Sequence, residues 1–286
     1  MTSNLLQTDN DWVKACWSWH LRLIYILPGL IYEIVFIQNY CSVIRKAITP
    51  RVALEIFISP FLHFAYALGL IYGAVVLIQS HAYVLNCLPC IFIVLIGCCF
   101  CHKQYMLEIF AIVMCGAGIV LLFNDGKAER VDGRTSSIVD YALCCFVSFL
   151  GAIFFMINGR LIKTLPIFTL MSLQSLVIII IMPIILTFVY DDFEYFSLDV
   201  KMGGFGFLNP DEFVAGFIGF GLASGFLTQS GSVLCLKLVP PVIITACFLV
   251  EIFIGQFLGY MLNIDKLPGM LTWLGTIVVF IAVLLL

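Results

Sequence analysis

One carboxylate stands by itself in a long apolar stretch. Glu251 lies about midway between Pro240 and Leu262, in a run with no other charged side chain. An ionisable group at such a depth is costly to bury and usually faces a cavity or a partner. Two roles fit it. It binds a cation or carries a coupling proton, or it is a structural carboxylate hydrogen-bonded to a neighbouring helix. The first is the reading adopted. Gln256 follows five residues on, off the Glu251 face. Gly255 and Gly259 form a small-xxx-small pair whose simplest use is close helix packing.

Other polar side chains interrupt apolar runs in small groups. Asn86 precedes Pro89 by three residues, so the two share a helix face. Pro89 has no main-chain N–H and frees the carbonyl of Leu85. Asn86 either caps that carbonyl or contacts a solute. Gly97, eight residues after Pro89, is grouped with it as a packing or hinge residue. Gln229, Ser230 and Ser232 cluster with Gly225 and Gly231, and Gln174 with Ser175 makes a smaller patch. Such patches serve a solute pathway or close packing, packing being the commoner use. His63 and Tyr66, three apart, read as partners of neighbouring helices. Glu33 with Tyr32, and Arg22 with His20, fall towards the ends of the first apolar run, where side chains reach the headgroups.

Metal and thiol chemistry find less support. Cys98-Cys99-Phe100-Cys101-His102 places ligand types side by side. Consecutive helical residues point around the axis, so these alone do not converge on zinc. Cys87-Leu88-Pro89-Cys90 has the spacing of a redox dithiol without a βαβ context. Most of the twelve cysteines lie within apolar runs, where free cysteine behaves as a small hydrophobe. No metal, cofactor or catalytic residue is assigned, and no enzyme is expected, because no nucleophile–base pair converges in the sequence.

Membrane helices must position these groups. The chain has 286 residues, 63% hydrophobic and 11% charged, with a mean hydropathy of +1.13. That is too little charge to cover a soluble surface. The hydrocarbon core takes about 20 apolar residues per helix, and backbone groups inside it must pair internally. The fold class is therefore an all-α polytopic bundle of about nine transmembrane helices. The expected spans are 17–38, 52–79, 81–101, 104–123, 138–158, 166–189, 213–238, 240–262 and 268–286. The linker 124–137 carries the turn signals Asp125-Gly126 and Asp132-Gly133. The loop 190–212 is acidic and reads as a solvated face.

Basic residues in short loops favour the cytosol. Arg45, Lys46, Arg51, Lys103, Arg160, Lys163 and Lys237 fall on one side of this arrangement. Lys14, Lys127, Arg130, Arg134, Lys201 and Lys266 fall on the other. The first side is taken as cytosolic, which puts the C-terminus there and the N-terminus opposite. Residues 1–11 lack the basic region and cleavage site of a signal peptide, so the first apolar segment is expected to be retained. No basic face suits nucleic acid. The lipid bilayer is the expected surrounding of an integral multi-pass membrane protein.

The chain also repeats itself. Spans two to four match spans seven to nine in loop lengths, and 88–97 lies on 250–259 with Pro89 opposite Glu251. Two spans precede the second set and one precedes the first. The repeats are placed at 1–135 and 136–286, the first of them one helix short. A truncated gene model accounts for this, a true nine-helix form being the alternative.

Three stretches resemble the EamA-like branch of the drug/metabolite transporter superfamily. Ser80 to Gly97, with its leucine–proline centre, is similar to that family's fourth helix. Asp140 to Pro166, with Gly151, Ala152 and Arg160, is similar to its sixth helix and the entry to the seventh. Pro240 to Leu286, with Gly259 and Gly275, is similar to its last two helices. The resemblance runs from about residue 48 to the C-terminus, and makes span one the family's second helix, with Arg22 where an arginine often stands. Two departures are plain. His102-Lys103 and Asn263-Ile264-Asp265 stand where acidic residues often close the fourth and ninth helices, and Glu251 replaces a central proline. The resemblance implies ten helices in two inverted five-helix repeats that work by alternating access. The expected cargo is a small organic solute, with or without a coupling proton or cation, bound near the midplane between the repeats. Glu251, Asn86, Gln229 and Gln174 are the expected site. Arg22, Arg160 and Lys237 lie near span ends, which favours a neutral or cationic solute. The rival readings are a membrane-embedded enzyme and a non-transporting receptor or scaffold.

Overall fold

A computed structural model describes residues 9–77, 79–99, 106–125, 137–248, 254, 257, 260–261 and 269–285. The described residues build helices and no strand. In chain order these are α1 (Asp9–Phe36), α2 (Tyr40–Ala47), α3 (Pro50–Val76), α4 (Gln79–Asn86), α5 (Leu88–Cys99), α6 (Met106–Phe123), α7 (Ile138–Thr164) and α8 (Ile167–Val189). A short 3₁₀ turn, Gly206–Leu208, precedes a helix of wider π pitch over Ala215–Ser230. Then come α9 (Gly231–Cys235), α10 (Pro241–Cys247) and α11 (Met270–Leu284).

Five of the described helical stretches are long and apolar enough to cross a membrane: Val13–Phe36, Pro50–Leu70, His81–Cys99, Ile138–Thr164 and Ile167–Val189. Their outward faces carry large apolar side chains. Phe188 is 87% exposed and Phe36 67%. Contiguous apolar surface of this kind is not stable in water and marks contact with lipid.

Two helix breaks follow from single residues. The third expected span is divided at Cys87 into α4 and α5, because Pro89 has no N–H to continue the ladder. The Leu85 carbonyl left over accepts a hydrogen bond from the Ser148 hydroxyl of α7 at 2.7 Å. Asn39, in the left-handed region at φ 55°, turns the chain from α1 into α2, a short helix where a loop was expected.

The chain divides into two compact units, Met1–Phe61 with Ile157–Leu238, and Leu62–Met156 with Val239–Leu286. Each draws on both sides of residue 135.

In the first unit α1 packs against α8 and against the helix Ala215–Ser230. Glycines admit large neighbours at both contacts: Gly29 faces the Phe168 ring, and Gly221 faces Leu21 and Tyr25. Glu33 holds the start of α8. Its carboxylate accepts the N–H of Phe168 at 2.9 Å and the N–H and hydroxyl of Thr169, both at 2.8 Å. It therefore does not reach for headgroups; it is buried and supplies the side-chain acceptor that Pro166, the residue before the helix, cannot.

The loop 190–214 is more than a solvated face. Its aromatic side folds over the start of α1, where Trp17 donates to the Gly203 carbonyl at 2.8 Å and His20 meets the Tyr195 hydroxyl at 2.8 Å. Phe205 and Phe207 pack on the His20 ring. The carboxylates of Asp191, Asp192, Glu194 and Asp199 line an open concavity of about 410 Å³ on this loop. Burial pushes the Tyr195 phenol upward.

In the second unit α6 and α11 form the most extensive helix contact, and α5 packs against α10. The α6–α11 crossing is backbone on backbone. A Cβ on Gly118 would stand 2.8 Å from the Gly275 carbonyl oxygen, and one on Gly275 would stand 2.6 Å from that of Gly118. Small residues at such a crossing let dispersion and weak polar contacts replace the hydrophobic effect that lipid does not supply. Asp125, just beyond α6, accepts the N–H of Thr272 in the first turn of α11 at 2.9 Å. Cys87, Cys90, Cys115 and Cys144 lie in the apolar core with Leu85 and Leu122, unbridged.

Candidate functional site

Gln174 sits in the middle of α8 in the first unit and is fully buried. Its amide nitrogen donates to the Ser59 hydroxyl at 2.8 Å and to the Asn158 amide oxygen at 2.5 Å. Asn158 in turn donates to Ser59 at 3.0 Å. Three helices, α3, α7 and α8, thus contribute one side chain each to a closed polar triangle with no exposed member. The amide oxygen of Gln174 and the hydroxyls of Ser172 and Ser175 have no hydrogen-bond partner among the described residues. A buried acceptor without a donor costs about 1–3 kcal/mol. Such groups keep hydrogen-bonding capacity for a solute or a water.

Arg22 is the residue that sequence reasoning undervalued. Instead of reaching out from a span end, it is fully buried in the first unit. Its Nε donates to the Ser230 hydroxyl at 3.0 Å, and its guanidinium lies 4.8 Å from the centre of the Trp19 ring. A guanidinium on an aromatic face gains cation–π attraction. His20, read with it as an end residue, is likewise buried, against the loop described above. The available signal was the pairing of Trp19 with Arg22 three residues on, which puts ring and cation on one face.

In the second unit Asn86 ends α4 and accepts a hydrogen bond from the Tyr66 hydroxyl at 2.5 Å. Capping of the Leu85 carbonyl, one of the two uses expected of Asn86, falls to Ser148. His63 stacks on Phe154 with ring centres 4.2 Å apart. His81 meets the Tyr141 hydroxyl at 2.6 Å, and Tyr72 donates to Asp140 at 2.7 Å. The arrangement is one of interhelical hydrogen bonds involving aromatic hydroxyls.

Pro89 is buried at the start of α5. A Cβ on Gly97 would meet nothing within 4 Å. Glu251, Gly255 and Gly259 lie outside the described residues, as do Cys101 and His102. Gln229 falls in the helix Ala215–Ser230, one residue before Ser230, the partner of Arg22. Asn86 and Gln174 belong to different units. No group of three potential metal ligands occurs among the described residues.

The described residues thus define a helical protein with five helices long and apolar enough to cross a membrane and with polar side chains buried inside each unit. No family model and no curated protein matches the chain.

Proposed function

We infer that the protein is a multi-pass membrane transporter that moves a small organic metabolite by alternating access, in the manner implied by its resemblance to EamA-like drug/metabolite transporters. One observation supports this reading above the others. Four helix pairs are in close contact among the described residues: α1 with α8, α1 with the helix Ala215–Ser230, α5 with α10 and α6 with α11. Aligning the two halves makes three of these pairs counterparts, spans one and six, three and eight, and four and nine, while the remaining pair joins spans one and seven. Contacts between counterpart helices are what two related halves of one chain would make. The carboxylate caps agree, since Glu33, near the end of α1, and Asp125, just beyond α6, each hold the first turn of the counterpart helix.

Gln174 in the first unit and Asn86 in the second are each candidates to hydrogen-bond a solute, with Gln229 and Glu251 as the further candidates. A buried guanidinium at Arg22 widens the solute classes to include anions, against the preference drawn from the sequence.

The test is uptake into proteoliposomes. Amino acids, polyamines, nucleosides, nucleotide sugars and organic cations would each be offered to wild-type protein and to Glu251→Gln. Saturable uptake with counterflow of one class is the expected result. If that uptake disappears in Glu251→Gln while folding is retained, the carboxylate belongs to the transport path. Absence of saturable uptake for every class, with protein that is folded and inserted, overturns the transporter reading.

A further inference from the structure

The helix α2 has a face that the described residues leave partly uncovered. None of its residues is buried. Tyr40, Ile44 and Ala47 are half-buried, while Cys41, Val43 and the following Ile48 are exposed. At 100° per residue these six occupy one continuous arc. Ser42, Arg45 and Lys46 occupy the opposite one. Tyr40, Cys41, Ile44, Arg45 and Ile48 line a concavity of about 490 Å³.

The helix is fixed where it stands. The Tyr40 hydroxyl is 2.6 Å from the Thr169 hydroxyl, which itself donates to Glu33. On either side the chain runs into lipid-facing surface: Val35 and Phe36 end α1, and Leu54 and Phe57 open α3, all exposed. The apolar arc of α2 thus continues a surface that already meets hydrocarbon. Cations gather at the same end of the unit. Arg51 and Arg160 both contact the Glu55 carboxylate, at 3.2 and 3.1 Å. One carboxylate between two guanidiniums leaves the cluster positive, before Arg45 and Lys46 are added.

We propose that α2 is an interfacial helix that seats an anionic phospholipid, with acyl chain along Tyr40, Ile44 and Ile48 and headgroup at Arg45 and Lys46. Anionic headgroups concentrate in the cytosolic leaflet, and basic residues at the surface draw them.

Native mass spectrometry of the purified full chain reads this directly, with dioleoyl-phosphatidylserine and dioleoyl-phosphatidylcholine as probes. Wild-type protein should bind the serine lipid about tenfold or more tightly than the choline lipid. Each cation removed should cost the serine lipid about fivefold. Arg45→Gln with Lys46→Gln should bring the two lipids close to parity, and Ile44→Asp should weaken both. Lys237→Gln, a charge removed elsewhere on the same side, should change nothing. Since Arg45 and Lys46 are exposed, the double variant should keep the wild-type melting temperature. Equal binding of both lipids by wild-type protein overturns the proposal. So does an unchanged preference in the double variant, or a loss in Lys237→Gln as large as in α2. Dimers that exclude lipid and dissociate in Ile44→Asp would assign the face to a second copy of the chain instead.

Discussion

Glu33 accepts both the main-chain N–H and the hydroxyl of Thr169, each at 2.8 Å, across 136 residues of sequence. A carboxylate from α1 thereby completes the first turn of α8, whose own preceding residue is Pro166. Charge-assisted bonds at a helix N-terminus, aligned with the helix dipole, are among the stronger single contacts a buried carboxylate makes. Removing the acceptor in Glu33→Ala should cost about 2 kcal/mol. Glu33→Gln, which keeps one acceptor oxygen, should cost about half as much. Thermal unfolding in detergent measures both. An alanine variant as stable as wild type would show that water replaces the cap without loss.

Asp125 makes the corresponding contact with Thr272 in the second unit. Asn is as good an N-capping acceptor as Asp, whereas Ala supplies none. Asp125→Asn should stay within about 0.5 kcal/mol of wild type, and Asp125→Ala should lose about 1 kcal/mol. If the two variants unfold together, the carboxylate holds α11 by something other than its hydrogen bond.

The crossing of α6 and α11 leaves no space for a methyl group at Gly118 or Gly275. Either glycine changed to Ala should destabilise the protein by about 1–3 kcal/mol through overpacking. Gly97→Ala is the matched control, because its Cβ enters open space. There the helix preference for Ala should leave stability unchanged or raise it by up to about 1 kcal/mol. Melting temperatures that fall equally in all three variants would remove the crossing as the cause.

Gln174 separates binding from folding. Leu at this position removes an amide oxygen that has no partner among the described residues, together with two donated hydrogen bonds. The stability change should be modest, about 1–2 kcal/mol, because deleting an unsatisfied acceptor offsets part of the loss. Saturable uptake of whichever solute the wild-type protein carries should fall at least tenfold in Gln174→Leu. Uptake that merely follows the amount of folded protein would return Gln174 to a packing role.

Much of the architecture was legible in the residues. Apolar runs had to be helices because hydrocarbon leaves backbone groups no other partner, and α3, α6, α8 and α11 fall within a few residues of their expected spans. The α8 helix starts after Pro166, as its position predicts. The freed Leu85 carbonyl followed from the proline ring alone. Gly275 was noted for its place in a pattern, and its packing against Gly118 is what a small residue in a membrane helix is for.

The rest depended on which helices met. An Arg or a Glu near the end of an apolar run has two destinations, the headgroups or the protein interior, and local sequence is the same for both. Arg22 and Glu33 went inward because α1 packs against α8 and the helix ending at Ser230, which present a hydroxyl and a helix N-terminus to them. Likewise Ser148 rather than Asn86 took the Leu85 carbonyl, because α7 places it there. The sequence by itself determined where the chain is helical and apolar, since those depend on each residue and its near neighbours. Only the tertiary structure decided which polar groups are joined, since a hydrogen bond across 136 or 208 residues exists only after the helices have packed.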